Sequence, residues 1–176
     1  MLQTHVIFCI LMTGKIFYTN GSPMMPPPRA QGLRTDYTYT PGIGVHKLHT
    51  DVARWKDAQT TCEGEGGNLA TINSAAEAEV IKQLFRESPR HPGSYHSSYA
   101  LIGFYRNPQR NGFLTIDGRP LENSGYFLWQ PTEPNNLYGG ENCGSVGSDG
   151  LLNDIHCKKK FAFICELSDL NVLPLS

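Results

Sequence analysis

The segment 133-EPNNLYGGENCGSVGSDGLLNDIHCKKKFAFIC-165 carries the most informative pattern of this 176-residue chain. Within it, three of the carboxylates and two of the amides stand out beside three cysteines: Glu133, Glu141, Asp154, Asn135 and Asn153, then Cys143, Cys157 and Cys165. Carboxylate and amide oxygens are hard ligands that suit calcium, which takes about six to eight oxygens. Five side chains fall short of that number, so a backbone carbonyl and exogenous oxygens would complete the shell. The pattern therefore predicts a calcium site.

The spacing of these ligands differs from that of an EF-hand, whose ligands fall within about twelve residues. Tertiary folding must therefore gather them. Any one of these residues in a glycine-rich loop would be expected to form a turn and face water, but the set as a whole favours a ligand role. Three carboxylates around one divalent ion leave about one negative charge.

The five cysteines indicate the compartment. Cys9 lies in the apolar run 6–12, which is typical of the apolar region of a secretory signal peptide. Removal of that leader leaves Cys62, Cys143, Cys157 and Cys165, an even number that predicts two disulfides in an oxidising compartment. Counting alone leaves three pairings open. A zinc site built from Cys143, His156, Cys157 and Cys165 is the alternative, but it lacks the paired C-x2-C spacing of structural zinc sites.

The organisation along the chain predicts one domain with short appendages. We expect a signal peptide at 1–21, a proline-rich linker at 22–36, a folded domain at 37–168 and a short tail at 169–176. Three successive prolines favour an extended, unpaired backbone in the linker. The tail and the linker contribute nothing to the predicted core.

Within the domain, two helices precede a region of strands and long loops. Trp55, Ala58 and Cys62 share one face of the first helix. The second starts at a capping box, Ser74 to Glu77, and its inner face comprises Ala78, Ile81, Leu84 and Phe85. Strands are predicted at 37–40, 44–48, 100–104 and 161–165, with a loop at 86–98 and a long irregular region at 105–150. This order indicates an α+β fold.

Other functional classes find little support. A net charge of −1 and a pI near 6.6 argue against binding to the phosphates of nucleic acid. The chain has no G-x-G-x-x-G, phosphate loop, H-E-x-x-H or G-x-S-x-G motif, and its histidines are interpreted as surface or turn residues. The basic run 158–160 lies near the predicted metal site, where it could contact the phosphates of a microbial glycolipid, although such a run is more often a solvated turn.

The sequence resembles the C-type lectins over residues 37–167. The matching pieces are Glu133-Pro134-Asn135, Glu141-Asn142-Cys143, Leu152-Asn153-Asp154, the four cysteines and Leu101-Ile102-Gly103. Segments 39–44 and 47–50 further resemble secreted insect lectins of the immulectin and haemolymph lipopolysaccharide-binding type. The resemblance implies a C-type lectin-like fold, with two helices packed on small antiparallel sheets and a long loop region ordered by calcium.

The resemblance also implies specific pairings and roles. The disulfides would be Cys62–Cys165 and Cys143–Cys157, and Pro134 would follow a cis peptide bond that aims Glu133 and Asn135 at one ion. The calcium and carbohydrate ligands would be Glu133, Asn135, Glu141, Asn153 and Asp154, with two vicinal sugar hydroxyls completing the shell.

This sequence also departs from the family. Leu101 and Leu152 stand where the family often has Trp, and we expect both to fill the core. Asn136 and Asn142 stand where members with an auxiliary calcium often carry acids, so one calcium site is predicted rather than two.

The predicted function is calcium-dependent carbohydrate binding by a secreted innate-immune lectin that is not an enzyme. The order Glu133 then Asn135 resembles the mannose-type version of the site. Expected partners are mannose-like glycans or lipopolysaccharide on microbial surfaces, with no nucleic acid and no membrane span, and oligomerisation remains open. The alternatives are a protein-binding module of the same fold and a metal-dependent hydrolase, which would need a general base that the sequence does not reveal.

Overall fold

The structure, a computed structural model, describes residues 18–19, 22–23, 35–88, 98–109, 112–137 and 139–167. The chain divides into two units, residues 1–32 and residues 33–176. In the first unit, strand β1 (Tyr18–Thr19) pairs antiparallel with β2 (Ser22–Pro23). Ser22 and Pro23 are therefore paired, although they were expected in an unpaired linker. Cys9, the tail at 169–176, most of the predicted signal peptide and most of the linker lie outside the described residues.

Among the residues that the structure describes, the second unit contains eight strands and two helices. In chain order they are β3 (Thr38–Thr40), β4 (Gly44–Ala53), α1 (Trp55–Gly64), β5 (Asn68–Leu69), α2 (Ala75–Glu87), β6 (Tyr99–Asn107), β7 (Gly112–Thr115), a 3-10 turn (Leu121–Asn123), β8 (Cys143–Gly147), β9 (Leu152–Ile155) and β10 (Phe161–Leu167). The strands form one connected sheet in the order β3-β4-β10-β6-β8-β9, with β5 beside β10 and β7 beside β6. Only the β6–β10 pairing in this sheet is parallel. The predicted α+β class is confirmed.

The two helices pack against opposite faces of the central strands. Successive side chains of a strand alternate between its faces, and on β6 Leu101 joins the cluster around α1, whereas Ile102 and Phe104 join the cluster around α2. The predicted inner faces of both helices are buried. Leu101 and Leu152 are 0% and 1% exposed, so both fill the core as expected.

The start of α2 differs in one detail from the predicted capping box. The Ser74 hydroxyl accepts the backbone N–H of Glu77 at 3.1 Å. The Glu77 carboxylate accepts the N–H of Asn73 at 2.7 Å instead of that of Ser74, and its other oxygen lies 2.8 Å from His46 Nε2. His46 is fully buried, so its interpretation as a surface residue is wrong. His46 on β4 thus provides a hydrogen-bond partner for the Glu77 carboxylate on α2. No local sequence pattern predicts this pairing.

Two predicted boundaries are corrected by the structure. Helix α2 continues to Glu87, two residues into the predicted loop 86–98, and residues 89–97 lie outside the described part of the chain. The predicted irregular region 105–150 contains β7 and β8. These strands have four and five residues, too few to show a clear alternation. Gly144 in β8 is required by packing, since a Cβ there would overlap the Phe104 ring.

Two disulfides tie the sheet to its surroundings. Cys62–Cys165 joins α1 to β10, and Cys143–Cys157 joins β8 to the turn after β9, with Cα–Cα distances of 5.3 and 5.2 Å. The pairing implied by the resemblance is confirmed, and the alternative zinc site is excluded because its three cysteines are oxidised. Loop-closure entropy gives about 4.7 kcal/mol for the 103-residue separation and about 3 kcal/mol for the 14-residue one. Among the described residues, no helix has the length and apolar character needed to cross a membrane.

Replacing Glu77 with alanine tests the buried pair between β4 and α2. The variant leaves His46 Nε2 and the Asn73 N–H without their acceptor, and the expected loss is about 3 kcal/mol in the free energy of unfolding. Equilibrium unfolding in urea measures it. The matched control is Glu79→Ala, since Glu79 is 63% exposed on the same helix and should cost at most about 0.5 kcal/mol. If Glu77→Ala and Glu79→Ala lowered the free energy of unfolding equally, the stabilising role assigned to the buried Glu77–His46 pair would be contradicted.

Candidate functional site

A cavity of about 230 Å³ lies beside β9. It is lined by Tyr99, Glu133, Asn135, Leu137, Glu141, Asn153, Asp154, Ile155, Lys159 and Phe161. All five predicted ligands are in this set. The segment 133–141 contributes three of them, and β9 contributes the other two. The fold therefore gathers side chains that are widely spaced in the sequence.

The Asp154 carboxylate joins the loop to the sheet. Its side chain is fully buried, and its Oδ1 accepts the backbone N–H of Asn135 at 3.0 Å. Its Oδ2 accepts the backbone N–H of Asn136 at 3.1 Å and a guanidinium N–H of Arg106 at 2.9 Å. A buried carboxylate needs such donors because desolvation penalises its charge. Asp154 consequently fixes the backbone of the loop that carries Glu133 and Asn135.

Glu133 and Asn135 form a local pair at the mouth of the cavity. The peptide bond between Glu133 and Pro134 is cis. The Glu133 carboxylate accepts the backbone N–H of Asn135 at 3.1 Å and its side-chain amide N–H at 2.7 Å. One carboxylate and one amide thus lie side by side, a combination that offers both an acceptor and a donor to a ligand hydroxyl.

The other side of the cavity is shaped by a short polar turn. Asn136, at φ +47°, accepts the backbone N–H groups of Gly140 and Glu141 with its side-chain oxygen, at 2.8 and 3.1 Å. Glu141 accepts the N–H of Leu137 at 2.8 Å. Asn136 therefore stabilises the loop from within. Tyr138 lies outside the described residues.

Asn153 is oriented by a hydroxyl on the neighbouring strand. Its side-chain amide donates to Ser145 Oγ at 3.0 Å. The Ser145 hydroxyl in turn donates to the backbone carbonyl oxygen of Asn153 at 3.1 Å. The amide oxygen of Asn153 is thereby directed away from Ser145. Asn153 also lines the cavity, so its amide oxygen is a candidate ligand atom.

The electrostatics of the cavity are those of crowded carboxylates. The pKa of Glu133 is raised from 4.5 to about 7, chiefly by burial and also by its hydrogen bond with Asp154 and by the negative charges of Asp154 and Glu141. A cation among these groups would favour the ionised carboxylates and lower that pKa. Oxygen-only donors and excess negative charge fit a hard divalent ion such as calcium.

Tyr99 lines the cavity and Arg106 binds Asp154 across 48 positions of sequence, and neither was predicted from the sequence. Lys159 also lines the cavity and belongs to the basic run 158–160 that was expected near the site, but the run alone does not show which lysine contributes. Arg106 lies near the end of β6 and has no local signal that could pair it with Asp154.

Two other groups of described residues bring three potential ligand atoms within 4.8 Å of one another: His49, Glu65 and Cys165, and His46, Glu77 and Glu166. In the first, Cys165 is in a disulfide and has no thiolate to offer. In the second, His46 Nε2 is already within 2.8 Å of Glu77. Neither group belongs to the cavity.

Comparison with known proteins assigns the family. The sequence model of the lectin C-type domain matches residues 51–167, more than half of the chain. The chain belongs to the C-type lectin domain family. The prediction of a non-enzymatic protein is confirmed at the level of the family, since the homologues that the chain matches are lectins.

The most informative relative of this C-type lectin is a hemolymph lipopolysaccharide-binding protein of Periplaneta americana, 36% identical over 143 residues. The match covers 81% of this chain but only 56% of that relative, so the chain spans little more than half of its length. The carbohydrate-recognition domain of the mouse scavenger receptor C-type lectin superposes with a TM-score of 0.62 at 25% identity, covering 76% of this chain and 94% of that domain.

The fold also occurs in a protein described as calcium-independent. A type II antifreeze protein superposes with a TM-score of 0.61 at 24% identity, covering 76% of this chain and 92% of the other. The C-type lectin fold therefore does not determine metal binding by itself. For this chain, calcium must be argued from the side chains of the cavity.

The raised pKa of Glu133 predicts a pH-dependent affinity for calcium. Because a proton and a cation compete for the same carboxylate, the calcium affinity should fall by up to about tenfold per pH unit below about pH 7. The effect on folding has the opposite sign: a carboxyl with a raised folded-state pKa favours folding at low pH, and that contribution is lost as the pH rises through about 7. Calcium titrations at pH 8, 7 and 6 measure the first effect. A constant affinity over this range would refute it.

Proposed function

We propose that this C-type lectin binds carbohydrate through one calcium ion held by Glu133, Asn135, Glu141, Asn153 and Asp154. The observation that carries the proposal is that all five side chains line one cavity. The Asp154 backbone carbonyl would be a further ligand. The ion would supply a Lewis-acidic anchor for hydroxyl oxygens.

The protein's own contribution is the arrangement of donors and acceptors around that anchor. Each of two vicinal hydroxyls can donate to a carboxylate and accept from an amide N–H. The Glu133–Asn135 pair offers this combination on one side, and Glu141 with Asn153 offers it on the other. The order of Glu133 and Asn135 favours mannose-type sugars with equatorial hydroxyls over galactose-type sugars.

The proposed targets are microbial glycans, including lipopolysaccharide. The cockroach relative is named for binding lipopolysaccharide. In this chain, Lys159 places an ammonium group at the cavity, where it can contact phosphate groups of such a glycolipid. Lys159 thus suggests that an anionic sugar is accepted beside the neutral diol.

The proposed location is extracellular. Two disulfides are characteristic of proteins from oxidising compartments, and the predicted signal peptide agrees with secretion. A site that contacts only two hydroxyl groups binds a single sugar weakly. Strong attachment to a microbial surface would therefore need several sites acting together. Assembly into oligomers is therefore part of the proposal.

A protein-binding module of the same fold is the second candidate. It is favoured by neighbouring apolar side chains on the surface, Phe127 and Leu128, which are 46% and 57% exposed. Such a patch can form an interface without any metal. Binding through it would be insensitive to calcium, which separates the two candidates.

The sugar mechanism predicts retention on mannan resin in calcium and release by a chelator. The double variant Glu133→Gln with Asn135→Asp exchanges the positions of carboxylate and amide, so its preference should shift from mannose towards galactose by at least about tenfold. Monosaccharide competition for resin-bound protein measures the shift. The matched control is Glu122→Gln, an exposed residue outside the cavity. Retention that persists in chelator, or a double variant with unchanged preference, would remove this mechanism.

The role of Lys159 predicts a selective loss. Lys159→Glu should weaken binding to lipopolysaccharide by about tenfold, because it replaces an attraction to phosphate with a repulsion, and should leave binding to neutral mannan nearly unchanged. Lys160→Glu is the matched control, since it makes the same charge change at the next exposed position and does not line the cavity. Surface-bound lipopolysaccharide and mannan compared in one assay provide the measurement. Equal losses of lipopolysaccharide binding in Lys159→Glu and Lys160→Glu would show that the overall charge of the surface, and not Lys159 itself, determines the affinity.

A further inference from the structure

Arg106 lies where the central strand meets the end of the binding loop. It is on β6, and its backbone N–H donates to the carbonyl of Asn142 at 2.8 Å. The preceding residue, Tyr105, pairs with Cys143 at the start of β8. The backbone of Arg106 is therefore held independently of its side chain, so a change of side chain leaves this anchor in place.

The guanidinium of Arg106 is fixed on two sides. One nitrogen, Nη2, lies 2.9 Å from Asp154 Oδ2, and the carboxylate is fully buried. The guanidinium carbon lies 4.4 Å from the centre of the Phe113 ring, close enough for a cation–π contact. The Nε atom is buried and has no hydrogen-bond partner among the described residues. A partly buried cation with this packing acts on nearby charges more strongly than a solvated one.

The formal charges of the three carboxylates, one calcium ion and Arg106 sum to zero. Glu133, Glu141 and Asp154 contribute three negative charges, and one calcium ion would contribute two positive charges. The remaining negative charge is matched by the guanidinium 2.9 Å from Asp154. Asn136 and Asn142 add no charge, and the Asn136 oxygen is already used by two backbone N–H groups of the loop.

We propose that Arg106 is the built-in cation of this site: it neutralises Asp154 and holds the loop 133–142 in its binding geometry before calcium arrives. The inference rests on the proposed function, because it assumes that calcium binds among these carboxylates. Arg106 is a positioning residue, since it contacts Asp154 and not the sugar. Without it, the loop would depend on calcium for both charge and shape.

The test compares melting temperatures in chelator and in saturating calcium for the full chain. The gap between the two temperatures reports how far the fold depends on the ion. In Arg106→Gln, the melting temperature in chelator should fall by about 5 °C more than in calcium, so the gap widens. Arg106→Lys loses the planar contact with Phe113 but keeps the positive charge beside Asp154, and since the proposed role is that of the charge, its gap should stay within about 2 °C of the wild type. Isothermal titration of wild-type protein with calcium gives the stoichiometry separately.

The matched control is Arg119→Gln. Arg119 pairs with Asp117 on the surface, where the two side chains are 59% and 51% exposed, so its loss should leave the gap unchanged. An unchanged gap in Arg106→Gln, or a widening in Arg106→Lys, would overturn the role of Arg106. If Arg106→Gln does not fold in either condition, Arg106→Lys decides alone. A wild-type protein that takes up no calcium would instead overturn the proposed function, so the two failures are distinguishable.

Discussion

The buried carboxylate of Asp154 is the interaction on which the binding region depends. It receives hydrogen bonds from the backbone of Asn135, the backbone of Asn136 and the side chain of Arg106, and it therefore connects a loop, β9 and β6. An unpaired buried charge is strongly unfavourable. Separating Asp154 from these partners would therefore lower the free energy of unfolding by a large amount. The disulfide Cys143–Cys157 constrains the same region, because it holds the start of β8 near the turn that follows β9.

The parts of the fold that were predictable are those with a local signal. The buried faces of α1 and α2 follow from helical spacing, and the five side chains that line one cavity were singled out as oxygen-bearing residues beside cysteines. The disulfide pairing came from the resemblance, since four cysteines leave three choices. Strands β7 and β8 were missed because they are short and interrupted by glycine. The His46–Glu77 and Arg106–Asp154 pairs were missed because their partners lie 31 and 48 positions apart, a distance at which no periodicity connects two residues.

The similarity to known proteins explains why the fold and the site must be considered separately. The sheet and helices are shared with other lectin C-type domains and with a calcium-independent antifreeze protein. The side chains that line the cavity are therefore the physical basis of any specificity in this chain. They combine close carboxylates, paired amides and two cations of the protein, Arg106 inside the cluster and Lys159 at its edge. In the proposed mechanism, the first would act on the charge of the metal site, and the second would act on the ligand.

The strand β10 also separates the cavity from the ends of the domain. Phe161, its first residue, lines the cavity, whereas Leu167, its last, pairs with Val45 near the start of β4. Six steps along a strand span about 20 Å. The two ends of the domain thus leave side by side at the far end of β10. Another module, a second copy or an immobilising tag joined at either end would therefore be attached about 20 Å from Phe161 and the cavity.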